Sequence, residues 1–144
     1  MSELLLMCLI AEHRAAIPAV RVQSVIEIED ITPIPGVPTF IRGLTALRSQ
    51  ALTVIDCAAA LGFDSKTHII GQRAAVVDVD GHLYALLVDA AYDVSEAQSD
   101  PIEVPGGFGP GWKAAARGMV ETDGGPTLLI DVEALVKGPL VQAA

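Results

Sequence analysis

The chain repeats itself. Displaced by 75 residues, Arg42-Gly43-Leu44 falls on Arg117-Gly118-Met119 and Ile55-Asp56 falls on Ile130-Asp131, with no gap between the blocks. Val54 lies over Leu129 and Ala59 over Ala134 in the same register. A second block, Glu12-His13 to Val25, matches Gly81-His82 to Val94 at a displacement of 69. The two displacements differ where the second copy carries Pro105-Gly106-Gly107-Phe108-Gly109-Pro110-Gly111-Trp112, which reads as a loop insertion. Two matching blocks in the same order define a duplicated unit, so the fold must build one small supersecondary unit twice.

At 144 residues the chain has the length of about one domain and can bury a core without staples. Cys8 and Cys57 show neither CxxC spacing nor a companion histidine cluster, so they read as small core residues in a reducing compartment, with no disulfide and no metal site expected. The formal charge of −9, from 18 acidic against 9 basic residues without a Lys/Arg cluster, lacks the footprint that phosphate backbones demand, and nucleic acid is not an expected partner. The longest apolar run, Leu4 to Ala11, falls well short of the roughly 20 residues of a spanning helix. With Glu3 before it, Glu12 after it and no small-residue cleavage signal, it does not read as a leader either; the expectation is a cytoplasmic protein without membrane insertion.

That same run suits a strand buried on both faces, turning at Glu12-His13-Arg14 and pairing back through Ala15 to Ile17. Beyond Pro18 the chain should bend before Val22, Val25 and Ile28 resume an extended run. Three prolines in Ile31 to Pro38 predict a stiff surface connection with apolar side chains outward. Phe40 to Leu47 and Ala51 to Ile55 read as a hairpin with Arg48 at its tip, and its counterpart turns at Thr122-Asp123-Gly124-Gly125. Ala74 to Val79, Asp80-Gly81 and Leu83 to Val88 form the hairpin that matches Leu4 to Ile17. Asp56 and Asp131 stand where they would cap the short helices that follow, with Gly62 and Gly138 as stops. Many short strands, little helix and a duplication predict a mainly all-β fold of two small barrels side by side.

Little of this carries chemistry. A hydrolytic pair of Asp56 and Asp131 is the weaker reading beside capping. His13, His68 and His82 read as exposed turn residues without a nucleophile nearby. The Gly-rich loop lacks the lysine of a phosphate-binding turn, and Trp112 at its end is either a contact anchor or a pin for the loop. Arg48 is either a solvated turn residue or a bidentate contact for a partner's carboxylate. A barrel that binds a small molecule in the cleft between the copies, with Trp112 as a lid, is the other reading. No catalytic residue, cofactor or metal is expected.

Ala16-Ile17-Pro18-Ala19-Val20-Arg21-Val22-Gln23, Ile31-Thr32-Pro33-Ile34-Pro35, Pro38-Thr39-Phe40-Ile41-Arg42-Gly43, Leu47-Arg48, Val54-Ile55-Asp56 and Leu87-Val88-Asp89, in this order, resemble the CheW-like domain of bacterial chemotaxis coupling proteins over nearly the whole chain. The resemblance implies two tandem, intertwined SH3-like barrels of five strands related by pseudo-symmetry, with a short helix after each second hairpin. Its subdomains would be a first barrel over about residues 15–70 and a second over about 1–14 plus 71–144. It also implies a non-catalytic adaptor that binds the regulatory domain of a histidine kinase and the cytoplasmic tip of methyl-accepting chemoreceptors, in receptor arrays at the inner face of the membrane. The residues it points to as partner-binding are Val22, Ser24, Ile34, Pro35, Phe40, Gly43, Arg48 and Val94. Three departures stand out: Ser24 where the family commonly has Glu, Ala46 where it has Asn, and Ser49 where it has the Gly of a turn that needs positive φ. They bear on which pathway is served, a flagellar one or a divergent one governing pili, surface behaviour or a second messenger.

Overall fold

The leading apolar run, Leu4–Ile10, is a strand with no polar face because both of its faces are buried. In the computed structural model, which describes residues 3–64 and 68–138, Leu5 and Met7 point into one small core with Ala16, Val120 and Leu129. Leu6, Cys8 and Ile10 point the other way, into a larger core shared by the whole molecule. The equivalent strand of the second copy, Arg73–Val79, does the same: Ala74 and Val76 face a second small core with Leu52, Val54 and Leu87, while Ala75, Val77 and Val79 join the shared one.

Among the described residues ten strands make two five-stranded sheets. In chain order they are β1 (Leu4–Ile10), β2 (His13–Pro18), β3 (Val22–Glu27), β4 (Ile41–Leu47), β5 (Gln50–Asp56), β6 (Arg73–Val79), β7 (His82–Val88), β8 (Ala90–Glu96), β9 (Ala116–Thr122) and β10 (Gly125–Ile130). One sheet runs β8-β1-β2-β10-β9 and the other β3-β6-β7-β5-β4. Each curls toward closure where the chain beyond its edge strand reaches the far side: Thr32 bridges Leu44 of β4, and Ile102 bridges Met119 of β9. Among the described residues three short α-helices, α1 (Cys57–Ala60), α2 (Pro110–Ala115) and α3 (Val132–Lys137), and two single 3-10 turns join the strands.

The sheet order reveals an exchange. Each barrel takes three strands from one copy of the repeat and its hairpin from the other: β1–β2 sits among β8, β9 and β10, and β6–β7 sits among β3, β4 and β5. The parallel junctions agree residue for residue, since Thr53 pairs with Tyr84 and Val54 with Ala85 just as Leu128 pairs with Ala15 and Leu129 with Ala16. This corrects the expected division at residues 14 and 70. The barrels are β3 to β7 in one case and β1, β2, β8, β9 and β10 in the other. A cut after residue 14 would fall inside β2, which the two-residue turn at Ala11-Glu12 joins to β1 in one antiparallel pair. Residues 65–67 and the chain ends of the expected ranges lie outside the described residues.

Local chemistry explains the punctuation. Asp56 Oδ1 accepts from the Ala59 amide and Asp131 Oδ1 from the Ala134 amide, each at 3.2 Å, so both aspartates cap their helices. Asp56 Oδ2 also lies 3.3 Å from Arg42 Nη1. The Gly-rich insertion is not wholly loop: Pro110 opens α2, and a Cβ on Gly111 would land on the Leu61 carbonyl, so glycine lets this helix pack against the end of α1. Trp112, on α2, is fully buried in the shared core and pins the insertion in place. His13 corrects the expectation of an exposed turn residue, because it starts β2 half-buried, edge-on to Phe108 at 5.2 Å and to Trp112 at 5.9 Å.

Gly43 and Gly118, the repeated glycines, have φ of 143° and 152°, and an added Cβ would strike the Thr32 and Ile102 carbonyl oxygens at the two barrel closures. Gly43→Ala and Gly118→Ala are each expected to lower stability by about 1–3 kcal/mol, whereas the exposed Gly106→Ala changes it little; urea unfolding monitored by circular dichroism checks this.

Candidate functional site

The barrel of β3 to β7 holds most of the residues singled out from the sequence. On β3, Val22 and Ser24 are half-buried while Gln23, Val25 and Glu27 are exposed. Pairing with β6 slips by one residue between Val22 and Ser24, yet the alternation along β3 is unbroken and places Val25 on its outward face with Gln23 and Glu27. The connection after β3 brings Ile34, half-buried, and Pro35, exposed, to the same barrel. Its apolar side chains do not all point outward as expected: Ile31 packs on the small core beneath, and the exposed members are the prolines.

Arg48 and Ser49 form the two-residue turn between Leu47 and Gln50, with φ of 51° and 71°. Positive φ at both central residues is the mirror-image turn that matches the twist of a hairpin, and it aims Arg48 away from the barrel. Arg21, Arg42 and Arg117 are each held by a carboxylate, with Arg21 lying 2.7 Å from Glu133. That contact raises the Arg21 pKa and lowers that of Glu133. Arg48 is exposed and takes part in no hydrogen bond or ion pair among the described residues, which leaves its guanidinium available to a partner.

Three of the singled-out residues stand apart. Phe40 is 6% exposed in the shared core, against the ring where a Cβ on Gly138 would fall, so it packs the interior and is no surface contact. Gly43 is buried, and what it supplies is the close approach of the Thr32 segment to β4. Val94 is exposed but lies on β8 of the other barrel, opposite Leu6 and near the exposed Leu4. Sequence reasoning passed over Val20, Leu44 and Tyr92, which are exposed apolar residues beside these positions. Val20 follows Pro18 in a single 3-10 turn and is 86% exposed, the most exposed of the large apolar side chains. The proline before it is the one signal that could have found it.

The two cysteines and the two capping aspartates are engaged in structure. Burial pushes the Cys8 thiol up to about 12 and the Cys57 thiol well above its usual value, so both stay protonated and unreactive. Both aspartates are engaged as caps. Among the described residues no cluster of His, Cys, Asp and Glu is arranged to hold a metal ion, and no helix is long and apolar enough to cross a membrane. Trp112 is no lid, being buried. A groove of about 670 Å³ lies on the barrel of β1 and β8, among Met7, Leu9, Tyr92 and Met119.

The sequence model of the CheW-like domain matches residues 4–139. The chain belongs to the CheW-like family. A chemotaxis protein CheW from Thermotoga maritima is 31% identical over 135 residues, covering 89% of this chain and 83% of that one. A probable chemotaxis protein CheW from Rhizobium etli is 31% identical over 129 residues, covering 87% and 83%. Among solved structures, the scaffolding protein TtCheW from Thermoanaerobacter tengcongensis superposes with a TM-score of 0.78 at 27% identity, over 91% of this chain and 90% of that one. The expected pair of SH3-like barrels is thus the fold of this CheW-like chain.

Serine in the left-handed region costs roughly 1 kcal/mol that glycine would not. Ser49→Gly at the Arg48 turn is expected to raise the melting temperature by about 3 °C, and Glu12→Gly, at a turn where φ is 67°, should do likewise; differential scanning calorimetry reads both.

Proposed function

We propose that this protein is a non-catalytic coupling adaptor of a chemotaxis pathway, which binds the regulatory domain of a histidine kinase and the cytoplasmic tip of chemoreceptors and holds them together. The reading is supported by the family and by one feature of the surface. Val22, Ser24, Pro35 and Arg48 lie on a single barrel whose exposed faces also carry Val25 and Leu44, and Arg48, which has no side-chain partner among the described residues, projects from the turn at its end. Apolar area with a charged rim is the anatomy of a protein contact, and the guanidinium's fork of donors suits a partner's carboxylate.

The departures from the family pattern fall on this barrel. Ser24 is half-buried on β3, Ala46 is exposed on β4 and Ser49 is half of the turn. A carboxylate and an amide that could have faced a partner are replaced by small side chains, which favours a partner set of a divergent chemosensory pathway over the common flagellar one.

Isothermal titration of the cognate kinase regulatory domain tests the proposal. Saturable binding is expected, weakened about tenfold or more by Arg48→Glu, equivalent to ~1.4 kcal/mol. Ser49→Gly should leave the affinity within about twofold, because the turn keeps its shape. Absence of binding to the kinase domain and to receptor tips alike, or an Arg48→Glu variant that binds as the unmodified protein does, overturns it.

A further inference from the structure

Each copy of the repeat is an incomplete structure. The first, β1 to β5 with α1, contains a hairpin and three strands that do not pair with it; β3 pairs with β6, β5 with β7, and β2 with β10. The second copy is incomplete in the matching way, with β8 on β1 and β10 on β2. Every pairing of a hairpin with the other strands of its barrel therefore runs between copies, only the single bridges Thr32–Leu44 and Ile102–Met119 and the β4–β5 and β9–β10 pairs staying within one, and the chain crosses from one copy to the other once, after Leu61 and before Ile69. At the start of that crossing Gly62 has φ of 91° and open space around it, and beyond it Gly71 has φ of 88°. Nothing in the pairings requires the two copies to belong to the same chain.

We infer that two molecules of this protein can exchange repeats, the first copy of each closing on the second copy of the other, to give a dimer that holds two complete double barrels. The exchange forms no contact absent from the monomer and loses none outside the crossing, which is the condition under which swapping is cheap. A short connection gives the partner copy within the same chain an effective concentration of millimolar order, so the closed monomer dominates in dilute solution and exchange competes where the protein is crowded. The product displays two Arg48 turns and two Val94 edges. As an adaptor it is bivalent, able to bridge two partners of the same kind.

The experiment uses two full-length variants, Ile17→Asp and Leu86→Asp. These residues are equivalents at the displacement of 69, both fully buried in the shared core. Each variant refolded alone from urea is expected to lack the native β-sheet circular dichroism. An equimolar mixture should recover up to half of it, in a species of twice the 15.0 kDa mass, because one of the two double barrels in the mixed dimer carries no aspartate. The unmodified chain, refolded at roughly millimolar concentration, should give by light scattering a share of doubled mass that grows with concentration and persists on dilution until the protein is unfolded. Failure of the mixture to recover structure, together with a single-chain mass at every concentration, overturns the inference; so does a doubled mass that dissociates at once on dilution, which marks association of closed monomers.

Discussion

The structure depends on two parallel pairings, β2 on β10 and β7 on β5. Parallel neighbours cannot be joined by a tight turn, and here each pair joins strands of different copies. Those junctions bring Ile17, Ile55, Leu86 and Ile130, all 0% exposed, into one core between the barrels. Each such side chain contributes about 1.5–3 kcal/mol by leaving water, more than a tenfold change in stability from any one of them. Losing one hairpin would therefore open the far barrel and strip the centre at the same time. The small cores inside the barrels are secondary to this, and the smaller holds only Leu5, Met7, Ala16, Val120 and Leu129.

Given so regular a frame, function has to reside in what the copies do not share. The bulge on β3 recurs on β8, and the glycine closures recur at Gly43 and Gly118. The hairpin tips do not recur. Arg48-Ser49 in one barrel corresponds to Asp123-Gly124 in the other, so equivalent ends carry opposite charge and differently shaped turns. Gln98 bonds the Asp123 carboxylate, whereas no side chain occupies Arg48 among the described residues. A partner that meets both barrels can tell them apart by charge alone, which is how a pseudo-symmetric scaffold gains direction. The insertion adds a further asymmetry, since α2 and Trp112 have no counterpart after β3.

Much of this was legible because its causes are local. Asp-Gly between apolar runs marks the β6–β7 turn, an aspartate before Val-Glu-Ala-Leu-Val caps α3, and the duplication follows from comparing the chain with itself. The exchange of hairpins was not legible, since β2 would show the same residues whether it met β5 or β10; the choice is made by closure of the whole molecule. Phe40 lies in the connection before β4, where no alternation tells an inward from an outward side chain, and Val25 is one apolar residue on the outward face of β3 that its neighbours in sequence do not distinguish. Helix α2 was hidden by its glycines, whose packing against Leu61 only the fold supplies.

Among the described residues the buried polar groups and several surface charges are spent on holding the fold. A nucleophile needs an open approach, and the buried groups here lack one. Asp56 is 2% exposed with both carboxylate oxygens engaged, and burial holds the Cys8 and Cys57 thiols protonated. Glu133, half exposed, is taken by Arg21, a contact between the turn before β3 and helix α3 that ties the first copy to the second. Its lowered pKa means the contact stabilises the fold above the ordinary glutamate value and weakens only as pH falls through the lowered one, well below neutrality. The Arg21–Glu133 and Arg117–Glu3 pairs thus fasten copy to copy, whereas Arg48 stands exposed on a turn of positive φ.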